Sequence, residues 1–206
     1  FNLGSRYTTG GRVSLIIFAY PLLVPLVAPL FLKEEPLTAR VLAGCSVAFS
    51  GLVAAFWYAL VHQAGSTLKG DLIEMASCLL LALNIVYNKR LAQQMDKWKI
   101  LFWEFHFAVI LFFSGALLFE TFAFPNVAPD AWIAIAYQCL AVSVVCFMSW
   151  QYLLANHNAS KLSVFFFAAP LLGMAMGVVL LGERPEPGLL VGSVLVGAGV
   201  YIVNRN

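Results

Sequence analysis

One block of this chain occurs twice, and both copies lie within long apolar stretches. The first copy runs from Arg12 and Ser14 through Tyr20, Pro21, Leu22 and Leu23, then Leu32, Lys33, Glu34, Glu35 and Pro36, to Gly44 and Gly51. The second runs from Lys161 and Ser163 through Ala169, Pro170, Leu171 and Leu172, then Leu181, Gly182, Glu183, Arg184 and Pro185, to Gly192 and Gly199. A basic residue, a helix, a mid-helix proline, a glutamate–proline turn and a glycine-spaced helix recur in the same order. The offset is 149 residues (Arg12 against Lys161, Pro21 against Pro170) and slips by one beyond the turn (Gly44 against Gly192). A repeated, helix-period apolar unit restricts the fold to architectures made of two related halves.

The solvent for those helices follows from composition. Hydrophobic residues make up 62% of the chain and charged residues 11%, against about 45–50% and about 25% in soluble domains. So few charges cannot coat a soluble exterior, which makes lipid the natural surroundings. The net charge of +2 has no dense basic tract, so nucleic acid is excluded as a partner class. Cys45, Cys78, Cys139 and Cys146 fall in apolar runs without a C-x-x-C pair and read as small buried packing residues. Neither a metal site nor a cofactor is implied.

Seven apolar stretches approach the roughly 20 residues that span a bilayer as a helix. They cover about Val13–Leu32, Thr38–Leu60, Asp71–Tyr87, Ile100–Phe122, Ala131–Tyr152, Leu162–Leu181 and Gly188–Val203. The fold class is therefore all-α, a multi-spanning membrane helix bundle. Short connectors make successive helices antiparallel. Lys33, Arg40, Lys89, Arg90, Lys97, Lys99, Lys161 and Arg205 fall on one side, and only Arg6, Arg12, Lys69 and Arg184 on the other. The richer side is expected to be cytoplasmic, with the C-terminus there. Arg12 and Lys161 then start their helices on opposite sides, so the repeat is expected to be inverted, an arrangement that lets one site open alternately to either face. The Asn158–Ser160 acceptor pattern for glycosylation falls inside and reads as chance.

At the turn, Phe31, Leu32, Lys33, Glu34 and Glu35 match Leu180, Leu181, Gly182, Glu183 and Arg184, and Gly192–Gly199 supplies a glycine-spaced last helix. In these features the chain resembles the drug/metabolite transporter superfamily, specifically its EamA-type repeat. The resemblance implies a ten-helix transporter of two inverted five-helix repeats. Residues 70–206 resemble a complete second repeat, and residues 1–61 the last two helices of a first. Roughly 80 further residues, about three helices at about 20–25 residues each, are implied ahead of Phe1. The family's substrates imply small metabolites such as amino acids, often exported, moved by alternating access across what is a bacterial inner membrane in such proteins. Partners are then the lipid bilayer and a small-molecule substrate, and a homodimer through the glycine-spaced helices is left open. Receptor or sensor, and membrane-embedded enzyme, are the competing classes. The last span has no lysine for a retinal Schiff base, and no hydrolase, diphosphate or paired metal motif occurs.

Candidate site residues follow from polarity and proline in lipid. Pro21, Pro25 and Pro29 lie four apart on one helix face, and each removes a backbone donor. Such a helix lines a cavity or hinges, with Tyr20 beside it and Pro170 as counterpart. Ser77, Asn84 and Asn88, with Tyr87 adjacent, are expected to face the bundle interior as a hydrogen-bonding wall or as interhelical glue, and Asn88, which opens the Asn88–Lys99 connector, reads first as glue or as a residue at the cytoplasmic interface. Glu104 and His106 are ion-coupling candidates, although two residues apart they point in different directions. Pairing of Glu104 with Lys97 or Lys99 is the bland alternative. Glu74, nearer the outer end, reads as solvated. Cys139, Ser143, Cys146 and Trp150 form a stripe, with Gln138 and Gln151 nearby, that reads as packing before substrate contact. Gly44, Gly51, Gly192, Gly197 and Gly199 read as close-packing positions, Trp57, Tyr58, Trp98, Trp103, Trp132 and Tyr137 as interfacial aromatics, and Glu34 and Glu183 as caps of the helix that follows each.

Overall fold

The computed structural model describes residues 6–7, 10–57, 61, 68–119, 129–182 and 187–205. Tyr58, Glu183 and Arg184 lie outside them. The helices are α1 (Gly10–Ile17), α2 (Tyr20–Phe31), α3 (Ala39–Ala55), α4 (Leu68–Gln94), α5 (Lys97–Phe119), α6 (Pro129–Tyr137), α7 (Phe147–Asn156), α8 (Ala159–Ser163), α9 (Ala168–Leu181) and α10 (Pro187–Asn204). A π-helical stretch (Gln138–Cys146) joins α6 to α7, and a 3-10 stretch (Val164–Phe167) joins α8 to α9. Taken together these are the seven crossings read from the sequence. Five are long and apolar enough to span a membrane, and the helices 39–55 and 188–204 are shorter. No strand occurs among the described residues.

Two compact units emerge. One comprises residues 1–87 and 157–206, the other residues 88–156. In the first unit the two sequence copies pack on each other. A Cβ on Gly44 would meet the Gly199 carbonyl at 2.8 Å, and one on Gly51 the Gly192 carbonyl at 2.7 Å. The reverse contacts also hold, and Gly188 abuts Ala54 and Ala55. Gly44 with Gly199 and Gly51 with Gly192 have the same summed residue number, which is the register of two antiparallel helices in contact along their length. Small residues allow that approach, and backbone-to-backbone contact holds helices together where lipid offers no hydrophobic drive. Val41, Cys45, Ala48 and Leu52 of α3, Val196 and Val203 of α10, and Val164, Phe167 and Leu171 form the core around this seam. Five glycines are thus consumed within the chain, whereas nothing lies within 4 Å of a Cβ on Gly197.

The other pair of equivalent helices is also antiparallel. Tyr20, at the start of α2, stacks obliquely on Phe166 at 5.5 Å. Beyond the end of α2, the buried Glu35 carboxylate accepts the Ala159 amide at 2.9 Å, the Ser160 amide at 3.2 Å and the Ser160 hydroxyl at 3.3 Å. A carboxylate at the start of α8 satisfies orphan donors and favours the positive helix end. This corrects the expectation for the turn: Glu34 is exposed, the capping residue is Glu35, and it caps α8 rather than the next helix. Thr38 caps α3, its hydroxyl accepting the Val41 amide at 3.3 Å. Cys45 and Cys78 are buried as expected, while Cys139 and Cys146 are exposed, so the packing reading fails for the latter two.

In the second unit the expected connector at 88–99 is mostly helix. Only Met95 and Asp96 separate α4 from α5. Asp96 caps α5 by accepting the Trp98 amide at 2.9 Å. The outward face of α5, with Phe102, Phe107, Leu111, Phe112 and Leu118 exposed, is the apolar surface expected against lipid chains.

Candidate polar site in the second unit

Asn88 and Glu104 each stand eight residues from Asp96, so a tight α4–α5 hairpin sets them level, about 12 Å from the turn. The Asn88 side-chain amide donates to Glu104 Oε1 at 2.8 Å. From α7, Gln151 Nε2 approaches Glu104 Oε2 at 3.5 Å, the outer limit of a hydrogen bond. Asn88 and Gln151 are buried, and the Gln151 carbonyl oxygen has no hydrogen-bond partner. Beside Asn88, the buried Lys89 ammonium donates to the Ala155 carbonyl at 3.3 Å. Ala155 lies in the last turn of α7, where orphan carbonyls and the helix dipole favour a cation. The result is a carboxylate held by two amides, with a free acceptor oxygen next to it and an ammonium group nearby. Such a set can bind a solute bearing both donors and acceptors, since each polar group buried in lipid is retained only where it has a partner or a task.

Of the residues singled out from the sequence, Glu104 stands at the centre of this cluster. Its partners are amides and not Lys97 or Lys99; the Lys97 ammonium lies over the Tyr152 ring at 5.2 Å. His106 faces elsewhere, stacked on Phe102 with ring centroids 5.4 Å apart. Ser143 is turned to its own backbone, donating to the Gln138 carbonyl at 3.1 Å within the π-helical stretch. Asn88 and Gln151 were underrated by sequence reasoning. The missing signal was helix continuity: ending the third helix at Tyr87 put Asn88 in a connector and hid its level with Glu104.

In the first unit, Tyr20, Pro21 and Pro25 are buried. Ser77 donates to the Ile73 carbonyl at 3.0 Å, one turn back along α4. Asn84 and Tyr87 are exposed, contrary to the expected inward wall, because the buried stripe of α4 runs through Gly70, Glu74, Cys78, Ala82, Ile85 and Val86. Glu74, expected to be solvated, is instead 0% exposed. Pro170 lies in the first turn of α9, half-buried. No group of three or more metal-binding side chains occurs among the described residues.

The sequence model of the EamA-like transporter family matches residues 68–205. An uncharacterized transporter of Archaeoglobus fulgidus is 25% identical over 214 residues, covering 99% of this chain and 71% of the relative. A protein of Streptantibioticus cattleyicolor described as a probable terminal-alkyne amino-acid exporter is 27% identical over 207 residues, covering 99% of this chain and 67% of its own length. A probable amino-acid metabolite efflux pump of Salmonella typhimurium is 23% identical over 180 residues, covering 84% and 60% respectively. A solved crystal structure matches with a TM-score of 0.81 at 20% identity, covering 98% of this chain and 71% of that one; the likeness is one of fold.

Proposed function

This chain belongs to the EamA-like transporter family, and from that premise we propose that it exports small amine-bearing metabolites, amino acids or close relatives, across a bacterial inner membrane. The observation that carries the reading is the Glu104 cluster: an acidic group in an apolar helix, held by Asn88 and Gln151 beside a buried acceptor oxygen. Glu104 and the Gln151 carbonyl oxygen would receive the ammonium group of the solute, and Lys89 would balance its carboxylate. The names of two relatives, an exporter and an efflux pump, favour export and amino-acid chemistry. The proposed orientation has the C-terminus in the cytoplasm, which the lysine and arginine bias of the loops supports.

Movement by alternating access between inverted halves is part of the same proposal. The antiparallel packing of α3 on α10, and of α2 on the 159–167 segment, supports it. Tyr20, Pro21 and Pro25 in one copy and Pro170 in the other are the proposed flexing and lining residues, with Ser77 and Ser143 as secondary lining and His106 as a secondary coupling group.

The test is counterflow of radiolabelled neutral amino acids into proteoliposomes holding the full-length protein. Saturable uptake is expected, and Glu104→Gln should lower it at least tenfold, since one charge-assisted contact is worth about 1.5–3 kcal/mol. Normal flux in Glu104→Gln would remove the cluster from the substrate path. Chemical conversion of the solute without net movement would instead favour a membrane-embedded enzyme, and ligand binding without movement a receptor.

A further inference from the structure

Glu74 is the most deeply buried carboxylate among the described residues, and it has no role in the site above. It is 0% exposed, and neither carboxylate oxygen has a hydrogen-bond partner. The neighbouring charges are already committed. One turn away, Asp71 on the same helix pairs with Arg12 of α1 at 3.4 Å. On the other side of Glu74, Cys78 is buried within electrostatic reach of the Tyr20 hydroxyl of α2. Two points fix the sense: Tyr7 meets Gly70 and Arg12 meets Asp71, with Tyr20 further along and within electrostatic reach of Cys78, so α1 and α2 run alongside α4 in the same direction. Glu74 lies between Asp71 and Cys78, on the buried stripe that begins at Gly70, where a Cβ would meet the Tyr7 backbone at 2.8 Å.

An acidic side chain enclosed this way, with the adjacent arginine engaged elsewhere, gives the fold nothing that a leucine would not give better. In a membrane helix such a group marks a position where charge is taken up and released. We propose that Glu74 is a cation-binding site on the route through the first unit, taking up a positive charge in each transport cycle. This rests on the transporter reading above. The charge arrives either as a proton or as the ammonium group of the solute. The facing titratable and charged groups are Arg12 and Tyr20 from α1 and α2, and Asp71 and Cys78 from α4 itself. Arg12 and Asp71 neutralise each other, so Glu74 holds the site's unbalanced acidic group.

Dicyclohexylcarbodiimide tests this directly, because it modifies carboxyl groups that carry a proton in apolar surroundings. The full-length protein in lipid nanodiscs is treated with the reagent, and the peptide containing Glu74 is analysed by mass spectrometry, with Glu74→Gln as the blank. We expect an adduct at Glu74. An absent adduct overturns the proposal. L-Phenylalanine methyl ester, an ammonium without a carboxylate, separates the two sources: protection from labelling identifies the solute's ammonium, and unchanged labelling identifies the proton. Labelling is read without any flux. A protein that labels at Glu74 but moves no amino acid therefore counts against the transport reading, whereas flux without labelling counts against Glu74 alone.

Discussion

The two copies of the repeated crossing carry the same local disturbance over different lengths. In the first, the α-helical pattern is interrupted only between Ile17 and Tyr20, where the Ala19 amide bonds back three residues, to Ile16 at 3.1 Å, and the Leu22 amide to Ala19 at 2.9 Å. In the second, at the equivalent place 149 residues on, the helix continues but tightens to 3-10 over Val164–Phe167 before α9. Both disturbances come just ahead of a proline, Pro21 or Pro170. Each proline lacks the amide that would bond the carbonyl four residues back. The first copy has Pro25 and Pro29 in the following turns as well, and the second has none, so only the first loses donors over three successive turns. Both copies thus absorb the disturbance by tightening a turn, over residues 18–19 in the first and over Val164–Phe167 in the second. The copies also meet at matching seams, where glycine from each supplies the contact, and there they behave alike.

The seam gives the largest effect. Gly51→Leu and Gly199→Leu should each lower the apparent thermal stability of the detergent-purified protein by about 3 kcal/mol or more, because the added side chain has only backbone and small side chains to displace. Gly197→Leu, with open space around it, should change stability by no more than about 0.5 kcal/mol. If Gly197→Leu were as damaging as the other two, the seam would not be the feature the copies share. The turn comes next. Glu35→Ala should cost about 1–3 kcal/mol, since buried amides at the start of α8 lose their acceptor. Glu34→Ala, exposed, should stay within about 0.5 kcal/mol of the parent. Equal losses would mean that the two glutamates share the role. The smallest effect sharpens the contrast in the crossings themselves. Pro21→Ala should raise amide protection around residues 17–22 by about fivefold in hydrogen exchange, as the helix gains one bond of about 1 kcal/mol. Pro170→Ala should alter protection less than threefold, because the 3-10 turn at Val164–Phe167 already carries the helix on into α9. Matching responses at both prolines would erase the distinction.

Much of this architecture was readable from apolar length. All seven crossings were visible, and so was the pairing role of four glycines, since periodicity and small-residue spacing act locally. The candidate site was less legible. Glu104 stood out because an acid is rare in a membrane helix, but Asn88 and Gln151 became significant only when α4 continued past Tyr87 and α7 came alongside. Asn84 and Glu74 exchanged expected environments, the first exposed and the second buried. Two helical faces about 100° per residue apart cannot be assigned inside or outside from polarity alone when both carry polar side chains.

The sequence by itself determined that this chain lies in lipid as a helical bundle with an internal repeat. Too few charges, runs of bilayer length and recurring proline and glycine positions leave no other fold class. The tertiary structure decided which glutamate of the turn caps which helix, which glycines touch, and which acids are enclosed. Those outcomes depend on contacts such as that between Glu35 and Ala159, more than a hundred residues apart along the chain. Pattern along one helix fixes its own faces only to within a turn, and the partner presented to each face is set by how the helices pack.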